Sequence, residues 1–217
     1  AELFKKGLGH KHACRIFEEF VKNHPDSGYA AEALQTAFEL AIEHAESGWG
    51  KKRLGELAKR FPAAPLAAEA TYLAGVYLFK SKKNDEAEET FEKLIRNYPE
   101  RERVVVSMFM LGELRLRRYE GPDYEDTPLQ DAKKQFELLI ASYPTGAYAV
   151  KARKRVGDIN RELAKRDYQM GLYYIRHGKP DSAKVYLESV QKEYPETEYA
   201  RKAAKTLAKL LEKKDKR

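Results

Sequence analysis

The 217-residue sequence predicts an all-α protein, a solenoid of about five stacked helix pairs closed by a C-terminal helix. Three observations predict it. Proline recurs after an aromatic residue or histidine at 25, 62, 99, 144 and 195. Small and large apolar residues keep fixed offsets from those prolines. Charged residues make up 35 % of a chain that still carries Tyr, Phe, Leu and Ala at helical spacing.

The prolines sit in one recurring phrase: "NHPDSGYAAEA", "RFPAAPLAAEA", "NYPERERVVVS", "SYPTGAYAVKA" and "EYPETEYARKA". Proline lacks the N–H a helix interior needs and disfavours the α conformation in the preceding residue, so each ends one helix and helps launch the next. The intervals of 37, 37, 45 and 51 residues have the size of a helical repeat. Twelve residues before each proline stand Ala13, Gly50, Ala87, Ala132 and Ala183. Eight before stand Phe17, Leu54, Phe91, Phe136 and Leu187, and five before, Phe20, Leu57, Leu94, Leu139 and Val190. Spacings of four and three place them on one helical face, the small residue admitting a neighbouring helix. Thirteen residues after each proline, Phe38, Gly75, Gly112, Gly157 and Ala208 form a second, mostly close-approach series.

Taken in order, first helices of the pairs are expected at about 27–46, 65–81, 101–119 and 147–177, second helices at about 11–23, 51–61, 85–97, 129–142 and 181–193, and a terminal helix at about 197–214. Residues 1–9 read as the tail of a first helix, so part of repeat one is expected upstream. "TPLQ" offers Thr127 as N-cap, Pro128 at the first helical position and Gln130 reaching back; "RHGKPDSA" ends a helix at Gly178 and restarts one at Pro180 and Asp181. The 45-residue interval places extra residues in a surface loop at "RYEGPDYEDTPLQ". The 51-residue interval holds no proline between Tyr148 and Arg176 and predicts one helix of about 30 residues, with room for a kink at Lys165 to Asp167. Residues 1–146 are expected as N-terminal repeats and 147–217 as a linking helix, last repeat and closing helix.

The pattern small-x3-Phe-x2-Leu-x4-Pro, with Gly in the first helix, resembles the tetratricopeptide repeat, which implies a right-handed superhelix with a concave groove. The insertion "GPDYEDTPLQDAKKQFELLIASYP" followed by "RELAKRDYQMGLYYIRHGKPDSAKVYLESVQKEYPETEYARKA" narrows the likeness. With "LAKRDYQMGLYYIRHG" (163–178) as its most specific stretch, it resembles the BamD family (YfiO, ComL) of outer-membrane assembly lipoproteins. The resemblance implies a non-enzymatic periplasmic scaffold, lipid-anchored to the inner face of the outer membrane, that helps fold β-barrel proteins. The implied partners are a BamA-like channel subunit, other assembly lipoproteins and unfolded barrel-protein peptides. The family's lipidated cysteine is not found, and "GHKHAC" around Cys14 lacks the apolar run of a lipoprotein cleavage site.

In this repeat, positions 2, 5, 9 and 12 of first helices face the groove. They read Glu32, Gln35, Glu39 and Ile42, then Glu69, Tyr72, Val76 and Phe79, then Val106, Phe109, Glu113 and Leu116. The apolar, aromatic centre of this lining fits peptide capture or packing within the chain. The next first helix presents Lys151, Lys154, Asp158 and Arg161. There the resemblance implies docking of the channel subunit; Tyr173, Tyr174, Arg176 and Tyr186 are the candidate contacts, because exposed tyrosine and arginine are favoured interface anchors, against a reading in which Tyr173 and Tyr174 pack the helix pair and Arg176 is solvated. Trp49, between two glycines, reads as a wedge between repeats or as a ligand-stacking residue.

The sequence offers no foothold for catalysis: no glycine-rich phosphate loop, no HExxH or CxxC, and no nucleophile with a histidine and acid at a recognisable turn. No cofactor is expected. His10, His12 and Cys14 would be spread around a helix rather than gathered on a metal. No run of about 18 apolar residues spans a bilayer, and "AELFKKGLGHKH" has no signal-peptide core. Net charge is −2 over residues 1–150 and +9 over 151–217, which fits a solvated face or an acidic protein partner; nucleic acid is not expected, for want of interleaved stacking aromatics. The rival readings are another periplasmic tetratricopeptide adaptor, for cell division or envelope maintenance, and a fragment of a larger enzyme.

Overall fold

The computed structural model describes residues 9–215 apart from Arg101 and Asp123, with side chains as far as Leu211. Among the described residues are ten α-helices and no strand: α1 (His10–Asn23), α2 (Ala30–Glu43), α3 (Gly48–Arg60), α4 (Ala67–Lys80), α5 (Asn84–Asn97), α6 (Arg103–Leu116), α7 (Thr127–Ser142), α8 (Ala147–Arg176), α9 (Pro180–Glu193) and α10 (Glu198–Asp215). The order gives four complete pairs, α2/α3 to α8/α9, flanked by α1 and α10. The expected first helix of repeat one falls on residues 1–9, nearly all outside the described ones.

The prolines act as expected, and the backbone shows how. His24, Phe61, Tyr98, Tyr143 and Tyr194 each cap a helix with φ between −136° and −129° and ψ between 50° and 74°. Each donates its N–H to the carbonyl four residues back, then leaves the α region because the following proline ring crowds it. One local clash thus writes the same helix stop five times.

Packing follows the offsets. Ala13, Ala87, Ala132 and Ala183 are fully buried, and a Cβ on Gly50 would overlap the His44 carbonyl. Leu54, Phe91, Phe136 and Leu187, with Leu57, Leu94, Leu139 and Val190, are likewise excluded from solvent. Each such side chain stabilises the fold by about 1.5–3 kcal/mol relative to exposure. Within the neighbourhoods of α1–α5 and α7–α10, each helix packs on the next, and α2 also meets α4 as α8 meets α10. The first helices α2 and α4 therefore touch, and α8 touches the closing helix α10.

Two compact units emerge, Ala1–Leu114 and Arg115–Arg217. Within the second unit α7 packs on α8. The described residues of the insertion between α6 and α7 form no helix, as expected of a loop, with Tyr124 exposed.

The helix α8 runs for 30 residues without a break through Lys165–Asp167, a length of about 45 Å. One expectation inside it is corrected. Gly157 is exposed, with nothing within 4 Å of a Cβ built on it, and Ala208 is exposed as well. The close approach occurs instead at Gly171, where a Cβ would lie 2.9 Å from Leu187 Cδ2, just as one on Gly75 would lie 2.7 Å from Phe91. The 51-residue interval exceeds 37 by 14 residues, close to four helical turns. The packing register therefore moves by 14 positions along the same helical face.

Capping is also corrected at one point. Thr127 is the first helical residue, Asp126 is the cap and makes no side-chain capping bond, and Gln130 bonds through its backbone N–H to the Asp126 carbonyl at 3.0 Å. Gly178 behaves as expected. At φ +67° it ends α8, its N–H bonding Ile175 O at 3.2 Å while the Lys179 N–H reaches Tyr174 O at 3.0 Å, a Schellman stop followed at once by Pro180.

Candidate functional site

The expected groove residues lie on α2, α4 and α6. Glu32, Gln35 and Glu39 are exposed along α2, Gln35 Nε2 donating to Glu39 Oε1 at 3.0 Å. Glu32 also borders an apolar cleft of about 330 Å³ with Phe17, Phe20 and Tyr29. Phe17 and Phe20 occupy offsets that are fully buried in every later repeat; here they are only half-buried and face this cleft. Tyr29, 72 % exposed, was not singled out by the sequence reading.

On α4, Tyr72, Val76 and Phe79 are half-buried against the cluster of Ala87, Phe91, Leu111 and Leu114 supplied by α5 and α6. They serve the core with one side and keep part of their surface accessible. Phe109, Glu113 and Leu116 on α6 are half-buried as well. Ile42 is half-buried against the α1–α4 core, and Val106 is buried.

Sequence reasoning missed Arg103. Its Nε and Nη2 donate to Glu69 at 2.6 and 2.9 Å, and its guanidinium stands 4.7 Å from the Tyr72 ring centroid. The first turn of α6 is thereby tied to α4, and one face of Tyr72 is covered by a cation. A signal existed. Four residues after the prolines stand Tyr29, Leu66, Arg103, Tyr148 and Tyr199, and arginine is the one charged member of that series.

In the second unit, Tyr173, Tyr174 and Tyr186 come together. Tyr174 stacks on Tyr186 with centroids 5.4 Å apart, and Tyr173 meets Tyr174 edge-on at 5.6 Å and His177 at 4.0 Å. His177, the added member, is anchored by Nδ1 to Tyr173 O at 2.8 Å. Tyr173 is 44 % exposed and Arg176 is exposed, so the cluster has a packed inner half and an open outer half. Lys154, Asp158 and Arg161 border a polar cleft of about 890 Å³ with Tyr194 and Arg201; Lys151 is exposed beside Tyr148.

His10, His12 and Cys14 are not brought together. His10 stacks on His44 at 3.7 Å, and both meet Trp49 edge-on, at 5.1 and 5.9 Å. Trp49 packs into the α1–α4 core and acts as the wedge. His12 is exposed beside Arg15. Cys14 is buried, its Sγ directed at Glu18 and the Ala37 carbonyl, and burial, reinforced by the Glu18 charge, pushes its thiol up to about 12. Glu18, 3 % exposed, is clamped by Arg53 at 2.9 Å and Arg60 at 2.8 Å, tying α1 to α3.

These features define a helical-repeat protein with accessible aromatic side chains on α1, α4 and α6 and at the α8/α9 corner. The family model described as YfiO, outer membrane lipoprotein, matches residues 41–216, and the chain belongs to that family. Outer membrane protein assembly factor BamD of Vibrio cholerae is 26 % identical over 208 residues, covering 88 % of this chain and 81 % of that protein. The BamD proteins of two Xylella fastidiosa strains are 22 % identical over 165 residues, covering 71 % of this chain and 56 % of theirs. The chain thus spans just over half the length of the Xylella relatives it matches. No helix among the described residues is long and apolar enough to cross a membrane.

Proposed function

We propose that this protein is a non-enzymatic scaffold for outer-membrane β-barrel assembly, held on the periplasmic face of the outer membrane by an N-terminal lipid. The observation that carries the reading is the family match over residues 41–216, together with relatives named as outer membrane protein assembly factors. In this reading the helix pairs continue into a right-handed superhelix, and the first helices hold an extended aromatic peptide of an unfolded barrel protein. Tyr72, Val76 and Phe79 support it, because side chains fixed on one side by a core offer the other with little entropy left to lose. Phe109, Glu113 and Leu116 extend the surface along α6, and Glu32, Gln35 and Glu39 supply its polar end on α2.

The Tyr173, Tyr174, Arg176 and Tyr186 corner would dock the BamA-like channel subunit, since tyrosine and arginine are favoured interface anchors. The test is fluorescence anisotropy with a labelled C-terminal aromatic peptide of a barrel protein. Phe109→Ser combined with Phe79→Ser is expected to weaken binding about tenfold or more while circular dichroism still reports a folded helical chain. Unchanged affinity in the folded variant would remove the groove from this reading.

A further inference from the structure

A third surface belongs to neither candidate site. Between α3 and α5, above α4, lies a cleft of about 720 Å³. Its floor is apolar, with Ala74, Tyr77 and Leu78 of α4, and Tyr98 closes one end by donating to the Pro62 carbonyl at 2.9 Å. Its rims carry Lys51, Lys52 and Lys59 from the α3 side and Lys83, Lys93 and Arg96 from the α5 side, against Glu86 as the carboxylate among the lining residues. Residues 1–114 hold 17 Lys and Arg against 18 Asp and Glu, so this concentration of cations is local and not a general property of the unit. Lys51 Nζ lies 4.3 Å from the Tyr77 ring centroid. Lys52, Lys83 and Lys93 pair at 3.9, 2.9 and 2.7 Å with Glu56, Glu86 and Glu89 on the exposed helix surface, and exposed pairs of this kind contribute little, so they do not tie up the rim cations.

Gly55 gives a second, independent indication. It is exposed in the middle of α3, and a Cβ there would meet nothing within 4 Å. A glycine inside a helix costs about 1 kcal/mol relative to alanine, and no close approach requires it at this position. Its effect is to leave one position on the α3 wall of the cleft without a side chain.

We propose that this cleft docks an acidic extended segment of a partner protein, its carboxylates meeting the two cationic rims and its apolar side chains resting on Tyr77 and Leu78. Concavity favours a peptide over a bilayer, which would rest on the rims and leave the apolar floor empty. The probe is a fluorescein-labelled peptide of repeated Glu-Ser-Leu, with Gln-Ser-Leu as the neutral counterpart, titrated into the full chain and read by anisotropy. The glutamate peptide is expected to bind in a salt-sensitive manner and the glutamine peptide not to. Lys59→Glu with Arg96→Glu is expected to lower affinity about tenfold or more. Gly55→Leu, which leaves charge unaltered and favours helix, is expected to lower it without lowering the melting temperature. Phe109→Ser should leave this binding unaltered, which separates it from the groove. The inference is overturned if the glutamate peptide does not bind or binds both cleft variants normally. It is equally overturned if vesicles of equal parts phosphatidylglycerol and phosphatidylethanolamine, and not the peptide, show the charge-dependent loss.

Discussion

Cys14 shows how far a side chain's surroundings govern its chemistry. Its sulfur lies in the α1–α4 core beside the clamped Glu18 carboxylate, and with the thiol pushed up to about 12 almost no thiolate exists at neutral pH. Because the thiolate is the nucleophile, native protein at pH 8 is expected to be silent towards a disulfide reagent and to react fully in denaturant. Rapid native labelling would contradict the buried placement. Asp167, on α8, makes a pH-dependent case. Burial, aided by the Asp126 carboxylate, raises its pKa against the pull of Arg166. A carboxyl whose folded pKa is raised stabilises the fold at low pH, and that contribution is lost as pH rises through the raised value. Asp167→Asn is therefore expected to raise the urea midpoint at pH 7 and leave it nearly unchanged at pH 3. A loss of stability at pH 7 would show that the charged form is the favoured one.

The two glycines of α8 separate helix propensity from packing within one element. At exposed Gly157 an added methyl meets nothing, so Gly157→Ala is expected to stabilise by about 1 kcal/mol. At Gly171 it would strike Leu187, itself fully buried, so Gly171→Ala is expected to destabilise by about 1–3 kcal/mol despite the same gain in propensity. Thermal unfolding of the two variants should shift in opposite directions; shifts of one sign would refute the 14-residue register. Helix limits were legible in the sequence because they are set locally, by proline acting on its predecessor and by Gly178 in its left-handed turn. The register of Gly171 was not, since it depends on where fourteen additional residues are absorbed. Nor was the half-burial of Tyr72 and Phe79, which α5 and α6 impose from elsewhere in the chain. Arg103 lay in plain view, as the charged member of an otherwise aromatic and aliphatic series.

At the scale of the molecule, the two surfaces of the proposed function differ in kind. One is aromatic and half-buried, on the first helices of the N-terminal unit; the other is the tyrosine corner where α8 hands over to α9. The formal charge follows the same division, near neutral through residue 114 and +8 beyond it, with 24 Lys and Arg against 16 Asp and Glu. A scaffold that holds one partner while docking another has use for two surfaces of different chemistry, and the proposed function assigns one partner to each. Site-specific photocrosslinking in cells tests this most directly, with benzoylphenylalanine placed at 109 in one protein and at 173 in another. Adducts with unassembled barrel proteins are expected from position 109 and with the channel subunit from position 173. Identical adducts from both positions, or none with a barrel protein at 109, would contradict it.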